Sequence, residues 1–105
     1  MASQLLVDIE QTLYGLCAER AIPVESVKFF GSYALGTAQS ESDVDIVLVS
    51  SGFEGKDIFQ RVVMTKGIHR VLVQRFKLPF DIVFCSVSEW LHGNSPLLQE
   101  IRRAA

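Results

Sequence analysis

Residues 31–50 read GSYALGTAQSESDVDIVLVS. A glycine-serine pair is followed by ten small or polar residues, and then Asp43 and Asp45 stand one residue apart at the mouth of the apolar run 44–49. A nearly continuous aliphatic run of this length is the pattern of a strand covered on both faces, so residues 44–49 are predicted to form the central strand of a sheet. Side chains two apart on a strand share a face. Asp43 and Asp45 are therefore expected to project side by side, two like charges set into a buried element.

The neighbouring segments complete the sheet. Upstream, Val27–Phe30 is rich in strand formers and is stopped by Gly31, and downstream FDIVFC at 80–85 reads as a second buried strand after Pro79. Leu6, Ile9, Leu13, Leu16 and Cys17 recur at helical spacing behind a candidate N-cap, Ser3, which predicts a helix ending near Arg20. A short helical turn is expected over 32–38. Residues 56–76 place Ile58, Val62, Leu72 and Phe76 on one face of a helix that Gly67 bends. A turn or short helix around Trp90 and a last helix from Pro96, with Leu97, Leu98 and Ile101, close the chain. The fold class is α/β (α+β), a small mixed sheet covered by helices.

A chain of 105 residues suits one domain, expected over 1–105, and should bury roughly 60–70% of its extended surface. The 49% hydrophobic and 21% charged content is ordinary for a globular protein, and no segment is long and apolar enough to span a membrane. No signal-like segment opens the chain, so the expected compartment is cytoplasmic. Cys17 and Cys85 match no metal-ligand spacing and read as buried hydrophobes. The net charge of -2 is unevenly spread: residues 56–77 carry +5 and the remainder -7. Most basic residues on an amphipathic helix are its wet face. Lys66 and Arg70, however, form a like-charge i,i+4 pair, which costs an isolated helix about 0.2–0.5 kcal/mol and suggests an anionic partner such as a triphosphate, RNA or an acidic protein surface.

Asp81 opens the second buried strand as Asp43 and Asp45 open the first. Three carboxylates at the ends of neighbouring strands repel, and a cation would relieve them. All-oxygen ligands with open positions suit Mg²⁺ or Mn²⁺, which bind through a few carboxylates, waters and substrate phosphates. Gly31 permits close approach of a ligand to the backbone, and Ser32 adds a hydroxyl at the start of a helical turn whose free N–H groups favour anions. Phosphate beside paired metals describes phosphoryl or nucleotidyl transfer, in which two ions about 3.5–4 Å apart stabilise the attacking and leaving oxygens. The bland alternative is a turn residue at Asp43, a strand-opening residue at Asp81 and a plain turn at 31–32.

Gly31-Ser32, ten residues, then Asp43-Val44-Asp45, with Asp81 in the third carboxylate's place, resembles the signature of the DNA polymerase beta-type nucleotidyltransferase superfamily. The likeness is greatest to the minimal nucleotidyltransferases, which keep only the catalytic domain. That resemblance implies a polymerase beta-like fold, ATP as substrate and Mg²⁺ or Mn²⁺ as cofactor. It implies that Asp43 and Asp45 hold the triphosphate-bound metal, that Asp81 joins them around the metal activating the attacking hydroxyl, that Gly31 and Ser32 grip the phosphates, and that Gly36 and Thr37 shape the loop beneath. Lys66 and Arg70 are expected to attract the nucleotide. Relatives often carry Arg or a long polar residue where this chain has Tyr33. Since only about 20 residues follow the Asp81 strand, the acceptor site is expected from oligomerisation or a partner chain. By resemblance that partner is a helical HEPN-type toxin, adenylylated on a tyrosine or other hydroxyl. Two other readings stand beside this one: a catalytically silent module that masks a partner, and an enzyme modifying nucleic-acid ends, which the acidic balance disfavours.

Overall fold

The computed structural model describes residues 3–104. The described residues form a three-stranded sheet in the order β1 (Ser26–Phe30), β2 (Val44–Val49), β3 (Phe80–Cys85). β2 is central as expected, antiparallel to β1 and parallel to β3. Parallel neighbours need a crossover, and α3 (Ile58–Met64) with α4 (Ile68–Phe76) supplies it. The small mixed sheet with helical cover matches the expected fold class.

The alternation of β2 divides the core. Val44, Ile46 and Leu48 face a larger cluster built with Ile9, Leu13 and Leu16 of α1 (Gln4–Glu19), Phe53, and Ile68 and Leu72 of α4. Val47 and Val49 face a smaller cluster with Cys85, and with Leu98 and Ile101 of α6 (Pro96–Ala104). Each such side chain taken fully out of water contributes about 1.5–3 kcal/mol of transfer free energy, so both clusters hold the sheet, the first more strongly. Asp45 lies on the second face, beyond the cover that α6 provides. The cysteines are free and buried, and burial, followed by the nearby Glu89 carboxylate, pushes the Cys85 thiol up to about 11. No helix among the described residues is long and apolar enough to cross a membrane.

The α1 boundaries follow the sequence reading, with the Ser3 hydroxyl accepting from the Leu6 N–H at 3.2 Å. The segment 56–76 departs from it. Gly67 adopts φ +89°, which ends one helix and starts another rather than bending a single one. Lys66 falls in the break, so the expected i,i+4 pair with Arg70 on one helix does not form. Ile58 and Val62 do not reach the core: they are 71% and 62% exposed, and Phe59 and Val63 beside them are 79% and 74% exposed. α4 packs inward through Ile68 and Leu72, whereas α3 meets the core only through Met64 at its end, its apolar face being turned away from the sheet. Of the three apolar residues on the last helix, Leu97 likewise points outward, while Leu98 and Ile101 are buried in the core.

Arg61 anchors α3. Its guanidinium meets Glu89 of α5 (Val87–His92) at 2.6 Å and donates to the carbonyls of Phe53 and Lys56, both at 2.9 Å. Arg61→Ala should lower the unfolding free energy by about 1–3 kcal/mol, the range for leaving hydrogen-bonded polar groups unpartnered, as read by urea titration. Arg61→Lys should recover only part, since an ammonium cannot reproduce the planar fork. Burial raises the Glu89 carboxyl, but the Ser86 amide and Arg61 outweigh it and hold the group below its ordinary value. A depressed acid stabilises the fold fully above its unfolded pKa and loses that contribution as pH falls through the folded value. The Arg61–Glu89 link therefore weakens only on the acid side.

Candidate active site

Three short stretches reach the same end of the sheet. β1 finishes at Phe30 and turns directly into α2 (Gly31–Leu35), while β2 and β3 begin there. In the sheet register Phe30 pairs with Asp45, and Asp45 with Asp81, so the three side chains stand in one row on one face. Asp43 precedes β2 by one residue and is exposed, as is Asp81, whereas Asp45 is half-buried. The backbone fixes this meeting: the Val44 N–H donates to the Pro79 carbonyl at 2.9 Å, tying the stretch behind Asp43 to the one that leads into Asp81. The preceding loop is held by a reciprocal turn, Gln39 N–H to Ser42 Oγ at 2.8 Å and Ser42 N–H to the Gln39 carbonyl at 3.0 Å.

Gly31 shows why the motif begins with glycine. Its φ is +71°, and a Cβ there would collide with the Asp45 carboxylate. The close approach inferred from sequence is thus made first by the chain's own Asp45. α2 then runs barely one turn and ends on Gly36 at φ +77°, whose N–H, with that of Thr37 at 2.9 Å, returns to the Ser32 carbonyl. Phe30, at the N-cap, offers no side-chain acceptor to the α2 amides. Gly31, Ser32, Gly36 and Thr37 are accordingly one compact turn abutting Asp45. Tyr33 packs against the larger core with Phe29 and Leu6, where these residues line a concavity of about 580 Å³. It sits behind the turn, on the side opposite the aspartates.

Burial first, then the Asp81 and Asp43 carboxylates, raise the Asp45 carboxyl above its ordinary value. Among the described residues the ion pairs are Arg20–Glu19, Arg61–Glu89 and Arg103–Glu100, and none neutralises the three aspartates. Lys66 and Arg70 are exposed and make no ion pair with them. Hard oxygen donors only, crowded like charges and a half-buried member whose ionisation is penalised fit a divalent cation. The fit is to an ion completed by substrate oxygens and water, because among the described residues no three His, Cys, Asp or Glu side chains already form a metal-holding group.

Two further residues shape this end, and their link to the aspartates is not evident from the sequence. Phe30 flanks Asp45 in the register and is partly buried, screening that carboxylate from water. His69 of α4 places Nε2 at 3.0 Å from the Phe80 carbonyl. A carbonyl only accepts, so Nε2 carries the proton, and the ring secures the backbone next to Asp81. Only the strand register reveals the first; the sequence places His69 near the apolar stripe of its helix, as a hydrogen-bonded core histidine, and the structure gives it the hydrogen bond but leaves the residue exposed.

A glycine turn backed against Asp45, with Asp43 and Asp81 beside it at one end of the sheet, is the layout of a protein that handles nucleotide phosphates, and comparison with known proteins agrees. The chain belongs to the nucleotidyltransferase domain family, which it matches over residues 9–103. Among solved structures it is similar to a crystal structure of a candidate nucleotidyltransferase from Sulfolobus solfataricus, at 28% identity and a TM-score of 0.50, covering 79% of this chain and 71% of that one. No curated protein matches the chain. Family membership makes it a nucleotidyl-transferring enzyme by class, and such domains generally use nucleoside triphosphates and divalent metals.

Proposed function

We propose that the chain is an adenylyltransferase of the minimal nucleotidyltransferase type, moving AMP from ATP to a hydroxyl acceptor and releasing pyrophosphate. The acceptor oxygen forms a bond to the α-phosphorus, the bond from that phosphorus to the α–β bridging oxygen breaks, and its electron pair leaves with pyrophosphate. The observation that carries this reading is the row of Asp45 and Asp81 beside Asp43 with no cationic partner, abutting the Gly31 turn. Asp43 and Asp45 would hold the ion that accompanies the triphosphate, and Asp81 would share the second with them. Divalent ions there supply charge neutralisation and make the acceptor hydroxyl more acidic. Asp81, exposed at the rim, is placed to take the acceptor proton. The Gly31 and Ser32 amides orient the β- and γ-phosphates, with Gly36 and Thr37 closing the turn, and Lys66 and Arg70 add long-range attraction for the nucleotide.

The acceptor in this reading is a hydroxyl of a HEPN-type helical partner, and the setting is a cytoplasmic toxin-antitoxin pair. The test is transfer of label from α-labelled ATP, with Mg²⁺, to the neighbouring gene's product. Loss of transfer in the Asp43→Asn, Asp45→Asn double variant is expected, and transfer that persists overturns the site. The other reading is a silent module that masks its partner, and the three intact aspartates weigh against it. Calorimetry separates them: Mg²⁺-dependent ATP binding supports the enzyme, and no heat supports the module.

A further inference from the structure

We infer that His69 is a positioning residue for the transfer step: through the backbone of Phe80 it fixes the Asp81 carboxylate, resting on the reading of Asp81 as the group that takes the acceptor proton. β3 lies at the edge of the sheet, with β2 on one side only. The Val44 N–H donates to the Pro79 carbonyl at 2.9 Å, and the Ser50 N–H to the Cys85 carbonyl at 3.0 Å. In a parallel ladder alternate residues of a strand bond to the same neighbour. Residues 79, 81, 83 and 85 therefore turn their carbonyls to β2, while 80, 82 and 84 turn theirs to the open edge. Unpaired edges and strand ends are where a sheet opens first. Among the described residues His69 is the side chain that bonds an outward carbonyl of β3, and the carbonyl it takes is that of Phe80, directly before Asp81.

Asp81 is thus held from both sides, by Val44 through Pro79 and by His69 through Phe80. The outer hold is firm because α4 is anchored by Ile68 and Leu72, both fully buried, and because the Phe80 ring meets Phe76 edge-on with centroids 6.2 Å apart. The link between α4 and β3 adds little: Lys77 stands at φ +58°, and Pro79 has no N–H to give. Asp81 itself is exposed and takes part in none of the ion pairs among the described residues. Its backbone alone sets where the carboxylate stands, whereas Asp45 is pinned between two strands in the centre of the sheet.

His69 does not touch the reacting groups. α4 covers the face of Val44, Ile46 and Leu48, and Asp45 and Asp81 stand on the other. The role passes through one peptide unit and uses no charge on the ring, since Nε2 donates in the neutral and in the protonated imidazole alike.

The test compares His69→Ala with His69→Gln in the full chain. Glutamine offers an amide N–H at about the reach of imidazole Nε2, so it should restore what alanine removes. In His69→Ala, amide exchange over residues 79–84, read by NMR, should quicken about fivefold, the size of one lost hydrogen bond, with β1 unchanged. The kcat for label transfer should fall about tenfold, short of the roughly 100-fold that a full 1 Å misplacement costs. KM for ATP should hold, because Gly31, Asp43 and Asp45 are untouched. If His69→Ala fails to fold, His69→Leu, which keeps bulk without the N–H, takes its place. A variant without the donor that exchanges and turns over like the wild type overturns the proposal. So does a His69→Gln protein no better than His69→Ala, or one that loses a limb of the pH–rate profile, either of which makes the imidazole itself a reacting group. A raised KM for ATP at unchanged kcat overturns it too, by placing His69 in nucleotide binding. A wild type that transfers to no acceptor overturns the active-site reading and the catalytic half of this one, and the exchange comparison still decides whether His69 holds the start of β3.

Discussion

Asp45→Asn is expected to cut nucleotidyl transfer by on the order of 10²–10³-fold, the loss typical when a preorganised electrostatic group aimed at the transition state is removed, while raising the melting temperature of the metal-free protein. The two effects have one cause. Asp45 is half-buried between Asp81 and Asp43, and its ionised form is disfavoured in the fold. An acid whose folded pKa is raised binds its proton more tightly in the native state, so its ionisation penalty is full above the folded pKa and relieved as pH falls through it. The uncharged amide escapes that penalty at neutral pH, leaving Asp43 and Asp81 without their nearest like charge. Mg²⁺ should raise the wild-type melting temperature and do so less for the variant. Differential scanning fluorimetry with and without Mg²⁺, beside a transfer assay, reads both. A variant that melts lower than the wild type without Mg²⁺ would show that Asp45 is a structural asset rather than a strained one.

Gly31→Ala should damage fold and activity together. The left-handed backbone alone costs a non-glycine residue about 1–2 kcal/mol, and the added methyl group meets the Asp45 carboxylate. One of the two must yield. If the carboxylate swings away, transfer falls by about 10²-fold, as for loss of a positioned catalytic partner. Pairing the substitutions makes the point: in a chain already carrying Asp45→Ala, Gly31→Ala keeps its backbone cost but loses the collision, so its destabilisation should shrink. A double-mutant cycle by urea denaturation measures that difference as a coupling energy. Strictly additive effects would mean that the turn and the carboxylate do not press on each other.

Much of this arrangement is legible in the sequence. β2 is recovered to the residue because burial on both faces leaves an almost unbroken aliphatic run, whereas β1 and β3, β3 being only partly buried rather than the buried strand expected, are recovered from their strand formers and the Gly31 and Pro79 that bound them. The Asp43, Asp45 and Asp81 positions follow from strand periodicity. The segment 56–76 was harder. Its apolar spacing correctly announces helix, but spacing cannot say that Gly67 takes a left-handed φ and breaks the helix in two. Nor can it say which apolar face is covered: Leu72 is sealed against the sheet, and Ile58 and Val62, four residues apart in the same pattern, look outward. Gly31 is the subtler case. A glycine before a phosphate turn suggests room for a ligand, whereas the residue that needs the room is Asp45, 14 positions later. Such a demand belongs to tertiary structure and leaves no local trace.

The mixed direction of the sheet also divides labour between its two ends. Because β2 runs against β1 and along β3, the chain passes the catalytic end at the β1–α2 turn and at the starts of β2 and β3, while the segments after β2 and β3 leave from the opposite end. Extra chain spliced after Val49 or Cys85 would enlarge the protein without crossing the aspartates. A fold wired this way can acquire new lobes, or shed them, as interchangeable attachments to an unaltered chemical head.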